Sequence, residues 1–385
     1  MKTKLSNRIL ALALALMMIV GILPLQALAA STSDTTVNNE NIIENGGSVN
    51  SNISSVIDGA ELVGFPNTFR GVTDSSELEK AIADGIDAIC LEADFNIDRT
   101  FYINEDTIVY CEKEVTLTRD PAFGGDMFVV GQDSENNLSA EPVTFSIGGF
   151  GGDASGGLKI DGNSENMSAE VVGTVVFVCP GATADLYDNL YITNCKKVGN
   201  DRATNAIYEL TNTANIGGAV AILSKSSFMN IHGGVYSDNA VNTTGASIYG
   251  GAFYNYATMT VYGGVFENNS AARAGAFYNY RTLTIYSATV SNNTASAAGG
   301  AIYLPASSAA KLYLGGGEYS GENAVVFRNN TAKTYGGAIY SSGRVTSQDS
   351  LFDGNSAENG GAIYVSGSYA ALSATATDFT SNKAS

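Results

Sequence analysis

The chain alternates apolar and polar positions with period two over most of its length, and the alternating blocks themselves repeat. "GGAFYNYATMTVYGGVFENN", Gly250 to Asn269, is followed from Ala274 by "AGAFYNYRTLTIYSATVSNN", with apolar, aromatic and asparagine positions in the same places. Alternation over short runs marks half-buried strands. A Gly-Gly-Ala-apolar unit recurs at Gly217, Gly250, Ala274 (as AGAF), Gly299, Gly336 and Gly360, at spacings of 33, 24, 25, 37 and 24. Between the copies runs a second unit, an apolar residue followed three positions later by asparagine. It ends at Asn239, Asn269, Asn293, Asn330, Asn355 and Asn382. Repeats of this length signal a solenoid or a propeller. A propeller blade needs about 40 residues for its four strands, so a unit of 24 predicts one coil of a parallel β-helix, with three short strands and three corners.

Both units then acquire physical work. The Phe and Ile positions stack on their counterparts in the next coil and fill the bore. The asparagines form a corner column whose amides bond upward and downward. Gly-Gly permits a corner that a Cβ would block. The intervals of 33 and 37 read as corner insertions. About a dozen coils from Cys90 onward, at ~4.8 Å each, predict a rod of about 55–60 Å.

Upstream the pattern differs. "MKTKLSNRI" is a basic stretch, "LALALALMMIVGILPL" an apolar one, and Ala27 to Ala29 a small-residue cleavage signal, so residues 1–30 read as a signal peptide. Residues 31–70 are rich in Ser, Asn, Thr and Gly without sustained periodicity and read as a flexible linker. A short helix is predicted over 74–85. Asp74 and Glu77 provide its start, Leu78 and Ile82 share one face, and Gly85 stops it. A helix placed ahead of strands covers the open end of a stacked sheet. Residues 71–385 therefore read as one all-β solenoid with a capping helix. The chain stops where the next "GGAI" is due, so it reads as a fragment truncated at its C-terminus.

Composition narrows the function. The net charge of −18 opposes nucleic acid and anionic membranes. No other apolar run reaches the ~20 residues that span a bilayer, so the mature chain is expected to have no transmembrane segment. Cys90, Cys111, Cys179 and Cys195 have no metal-ligand spacing, and no metal or cofactor is expected. Cys90 and Cys111 stand 21 apart, which suggests adjacent coils and a buried column rather than a disulfide.

The alternating GGAI and FxxN units, over roughly 217–385 with weaker coils upstream, resemble the repeats of polymorphic outer membrane proteins and related bacterial adhesin-like surface proteins. "SSELEKAIADGIDAICLEADFNI" is similar to the cap and first coil of such proteins. The resemblance implies a right-handed parallel β-helix of the pectate-lyase-like type at the bacterial surface or secreted from it. The family's C-terminal translocating barrel has no counterpart in the sequence.

Enzymes share this fold, so carboxylates need separate weighing. Asp161, Asp185, Asp188 and Asp201 form no dense cluster by spacing and read as corner or solvated positions. His232 is the single histidine; it aligns with Tyr262 and Tyr286 and reads as a substitution in an outward column. "GGFGGD", from Gly148, matches one calcium-type repeat without a tandem copy and reads as a loop. If the apolar residue after each Gly-Gly-Ala faces the bore, then Tyr254, Tyr278, Tyr303, Tyr340 and Tyr364 point outward. Such a column suits contact with glycans or with host or extracellular proteins, near Arg273 and Arg281. Its bland alternative is self-stacking that shields the sheet. The leading expectation is a non-enzymatic adhesin-like protein. A polysaccharide lyase or glycoside hydrolase, and a plain structural stalk, remain the alternatives.

Overall fold

The computed structural model describes residues 68–149, 157–198, 215–241, 248–316 and 324–385. The predicted signal peptide and all but the last residues of the linker lie outside them, as does Asp201. One coil shows the design. Phe253–Asn255, Thr258–Val261, Val265–Glu267 and Ser270–Arg273 form four short strands, here called the first to fourth sides. Each pairs in parallel register with its counterpart one coil later: Phe253 with Phe277, Thr258 with Thr282, Val265 with Thr289, Ser270 with Thr294. The first side stacks into a 9-stranded sheet, the fourth into another, and the second and third into one 19-stranded sheet. The molecule is a right-handed parallel β-helix.

Two expectations need correction. There are four strands per coil, not three, because one long side bends in two, as at Gly263 and Gly264; Gly264 has φ 123°. The bend does not require glycine, since Thr282–Ile285 and Ala288–Ser291 are separated by Tyr286 and Ser287, whereas in the last two coils single strands of 10 residues, Arg344–Asp353 and Ala371–Thr380, run through both sides. The rod is also shorter than the estimate. Eleven second-side strands stack in succession, Phe69–Val72 to Ala371–Thr380, and at ~4.8 Å make about 50 Å. The upstream coils are long: Phe128 pairs with Val176, and Val176 with Val220.

The bore is an unbroken apolar column. Phe253 and Phe277 stack at 5.0 Å, and Tyr236 and Phe266 at 5.0 Å. Each buried ring contributes roughly 1.5–3 kcal/mol. The Gly-Gly-Ala unit has three separate causes. Its first residue takes positive φ, 69° at Gly250. Its second passes so close to the next coil that a Cβ on Gly275 would lie 2.4 Å from the Gly300 carbonyl oxygen. Its alanine is fully buried.

The asparagine column is also present. Asn269 donates its backbone N–H and its Nδ2 to Asn293 Oδ1, both at 3.0 Å, and Asn293 does the same to Asn330. The column continues through Asn355 to Asn382. Its members donate Nδ2 to a carbonyl of the preceding coil, as Asn293 does to Phe266 at 2.9 Å. The residue before each is a corner with positive φ, 56° at Asn268 and 55° at Asn292. That explains the doubled asparagines, since Asn tolerates the left-handed region. A second, shorter ladder joins Asn255 Nδ2 to Asn279 Oδ1 at 2.9 Å.

The helix spans Ser75–Ala83. Asp74 Oδ1 accepts from the N–H groups of Ser76 and Glu77 at 2.9 Å, and Glu77 reaches back to Thr73. Leu78 and Ala81 are buried in the end of the bore. Among the cysteines, Cys90 and Cys111 do lie in adjacent coils, but Cys90 pairs with Tyr110. Cys111 therefore faces the bore and Cys90 the outside, so the suggested thiol column does not form. All four cysteines are free.

Candidate functional site

The first-side tyrosines form a continuous ladder. Tyr254 and Tyr278 stack at 5.1 Å, Tyr278 and Tyr303 at 5.4 Å, Tyr303 and Tyr340 at 4.6 Å, and Tyr340 and Tyr364 at 5.8 Å. The sheet register extends the same outward position upstream through Ala221, Phe177 and Val129 to Tyr102. These residues form an apolar cluster separate from the bore.

The ladder is covered at its beginning. Tyr254 is 4% exposed and Tyr278 6%, whereas Tyr303, Tyr340 and Tyr364 are half-buried. The residues just before the Gly-Gly-Ala units lie over it. Tyr249 is 4.4 Å from Tyr278, Arg273 lies over the rings of Tyr249 and Tyr303, and Tyr335 is 4.6 Å from Tyr364. Burial pushes the Tyr303 hydroxyl up to about 12, and Tyr278 higher. Stacking uses the ring faces within the ladder. What reaches solvent is ring edge and hydroxyl, which suits hydrogen bonding more than ring-face contact with a sugar. Tyr249 and Tyr335 were missed in the sequence, although both directly precede a Gly-Gly pair.

A second aromatic ladder stands at the corner between the second and third sides. His232 lies between Tyr187, at 4.4 Å and 2°, and Tyr262, at 5.2 Å; Tyr262 then stacks on Tyr286. His232 thus occupies the tyrosine column, as its alignment indicates. Tyr187, hidden in "DLYDN" between two carboxylates, was the missed member. Gly148 makes room for it: a Cβ there would lie 2.8 Å from Tyr187 Cβ.

The structure brings Asp185, Asp188 and His232 together, which spacing did not show. Asp185 accepts from Asn230 Nδ2 at 2.8 Å. The Asp188 carboxylate lies against Gly233. Burial raises the pKa of Asp185, opposed by the Asn230 bond and by His232. Burial lowers that of His232, opposed by Asp185 and Asp188. Asp161 stands apart, bonded to Lys159 at 3.1 Å, Asn194 Nδ2 at 3.1 Å and the Asn163 N–H at 2.8 Å. Burial raises its pKa, but those partners outweigh burial and hold it below the usual carboxylate value. Asp201 and most of the GGFGGD stretch lie outside the described residues. Among the described residues no group of three or more His, Cys, Asp and Glu side chains could hold a metal ion. Burial pushes the thiols of Cys111, Cys179 and Cys195 up to about 12, which suits inert core positions. Among the described residues no helix is long and apolar enough to cross a membrane.

Residues 287–305, 324–342 and 349–366 match the Chlamydia polymorphic membrane protein repeat. Each match carries an FxxN-type asparagine corner or a Gly-Gly-Ala corner, the features that shape the coil. No curated protein and no solved structure matches the chain. On the strength of three matched repeats, the chain carries the repeat of the polymorphic outer membrane protein family.

Proposed function

We propose that this protein is an exported, adhesin-like β-helix that works without catalysis at or beyond the bacterial surface. Its rigid coils present strand faces and corner loops to glycan or host-protein partners. The observation that carries this reading is the pairing of surface-protein repeats with ordered outward columns, above all the half-buried hydroxyl edges of Tyr303, Tyr340 and Tyr364. Parallel coils fix these edges at a regular pitch of ~4.8 Å. A partner therefore meets a preorganised row and little side-chain entropy is lost on contact.

The test is a glycan and extracellular-matrix array probed with the purified chain. Tyr340→Ser with Tyr364→Ser is expected to weaken capture at least tenfold while the far-UV spectrum stays the same. Capture unchanged by the double variant would remove the tyrosine ladder from the reading.

The convergence of Asp185, Asp188 and His232 favours a second reading, a carbohydrate-active enzyme. A carboxyl with a raised pKa beside a neutral imidazole is a workable acid and base pair. New reducing ends or unsaturated products on the same polysaccharides, lost in Asp185→Asn, would establish it in place of the first.

A further inference from the structure

The second side of the later coils carries an arrangement that charge balance alone does not explain. Its outward positions fall into two columns. One runs Thr258, Thr282, Lys311, Arg344 and Ala371; the other runs Thr260, Thr284, Tyr313, Thr346 and Ser373. Neither column holds a carboxylate. Lys311 and Arg344 are directly opposed in parallel register. Arg281 stands one residue before Thr282, and its carbonyl accepts the Lys311 N–H at 2.6 Å.

Like charges directly opposite one another on a sheet destabilise it. The chain has 38 acidic residues against 20 basic ones, so opposite charges are plentiful. Yet among the described residues none of these three cations has a carboxylate within ion-pair reach. Beside them Tyr313 is 40% exposed, its register neighbours are Thr284 and Thr346, and no ring among the described residues stacks on it. It differs in this from the ladder tyrosines.

Resting on the surface-display reading, we infer that Arg281, Lys311, Arg344 and Tyr313 form a docking face for an anionic glycan. The three cations take its carboxylate or sulfate groups, and Tyr313 takes the face of a sugar ring. Three successive coils space the cations over about 10 Å, the scale of two or three sugar units. Thr284 and Thr346 supply hydroxyls beside the ring. A glycan suits the face better than nucleic acid does. Its charges are sparse, whereas a duplex carries one per ~1.7 Å and would meet the repulsion of the −18 chain. The net charge also limits binding to anions that can settle on this one patch.

The experiment measures binding of the purified chain to polyuronate oligosaccharides and to oligosaccharides with one sulfate per sugar. Neutral dextran, a DNA duplex and phosphatidylserine vesicles serve as competing probes. The expected result is binding to the acidic oligosaccharides at least a hundredfold tighter than to dextran, weakening as salt rises. Lys311→Glu with Arg344→Glu should lower it at least tenfold and flatten the salt dependence. Tyr313→Ser should lower it severalfold and leave the salt slope in place. Arg344→Gln, at an exposed position, repeats the test with minimal risk to folding. Lys311→Glu alone should raise Tm, because it turns a like-charge contact into an opposite one.

Equal binding of neutral dextran would overturn the inference. So would full binding by the charge-reversed variant, or preference for DNA or vesicles. Matrix capture that persists in the charge-reversed variant overturns this inference and leaves the wider display reading standing. Absence of capture by any matrix or glycan overturns both.

Discussion

The coils between Phe101 and Lys197 and those between Ala219 and Ala384 share one fold but build their corners differently. The later coils use repeated parts, a Gly-Gly-Ala crossing and an asparagine at every turn. The earlier coils use parts that occur once. Arg119 is buried and donates to the carbonyls of Phe123, Gly125 and Thr174. Burial lowers its pKa. Asp126 accepts both the N–H and the hydroxyl of Thr174. Cys195 stands at the head of the asparagine column, its N–H donated to Asn239 Oδ1 at 3.1 Å. The interiors hardly differ, since Phe101, Phe128 and Phe145 stack in the early bore as the phenylalanines do later. An in-register apolar column is what the solenoid requires, and the buried polar groups at the corners can be satisfied in more than one way.

The comparison breaks most sharply at the crossing glycines. A Cβ on Gly300 would lie 2.0 Å from the Gly337 carbonyl oxygen and 2.7 Å from the Thr331 nitrogen, backbone that cannot step aside. Gly300→Ala should cost about 3 kcal/mol. In the early coils Gly181 has φ 82° but nothing within 4 Å of a built Cβ. Gly181→Ala should cost only the strain of a left-handed alanine, about 1–2 kcal/mol. Close crossings also occur in the early coils, where a Cβ on Gly173 would lie 2.1 Å from the Asp126 nitrogen, so urea unfolding of the two variants separates crossing from corner strain; equal losses would show that the close backbone approach adds nothing to that strain.

The asparagine column should show a gradient. Asn293→Ala strands the buried Asn269 N–H and the Phe266 carbonyl, at about 2–3 kcal/mol. Asn382→Ala, at the half-exposed end of the column, should cost less than about 1 kcal/mol, because water can replace it. Amide exchange at Asn269 should accelerate in the first variant alone.

A gain is expected at Ala274, the one copy of the unit without its first glycine. It holds φ 62°, a conformation that costs a non-glycine residue roughly 1–2 kcal/mol. Ala274→Gly removes that strain but also a buried methyl, worth ~0.8 kcal/mol. The net stabilisation should be a few tenths to about 1 kcal/mol, read as a higher urea midpoint. A loss would mean that the covered tyrosine cluster needs this methyl more than the corner needs glycine.

These regions also show what the sequence could reveal. Gly-Gly-Ala and FxxN were legible because each copy does the same job in the same register. The capping helix was legible because Asp74 and Glu77 act locally. Side-by-side packing left no such trace. The repeat placed Arg273 beside the tyrosine ladder, where it does lie over Tyr303, but nothing in the period showed that Tyr249 and Tyr335 would lie across it. Nor did it show that Tyr187, Gly148 and Gly233 would gather Asp185, Asp188 and His232. The cysteines illustrate the margin. Cys90 and Cys111 are 21 residues apart, but the coil that pairs Cys90 with Tyr110 turns after one residue fewer. A shift of one residue moves a side chain to the opposite face of a strand.

The smallest expected effect concerns a place where the early coils meet the later ones through titratable groups, Asp185 and Asp188 beside His232. Folding lowers the pKa of His232 through burial. The unfolded chain therefore binds that proton more readily, and stability should fall as pH drops below about 6.5. Folding raises the pKa of Asp185, again through burial. Its contribution is full below the unfolded value of about 3.9 and is lost as pH rises through the folded value. Asp185→Asn keeps an oxygen to accept from Asn230 and removes a buried charge, so it should stabilise the protein at pH 7 and leave stability unchanged near pH 3. It also takes away a carboxylate that supports protonated His232, so the decline between pH 6.5 and 5 should steepen. Melting curves across this range for the native chain and the variant decide the matter. Parallel curves would mean that Asp185 and His232 do not share a field, and that the two kinds of coil are joined only by their common core.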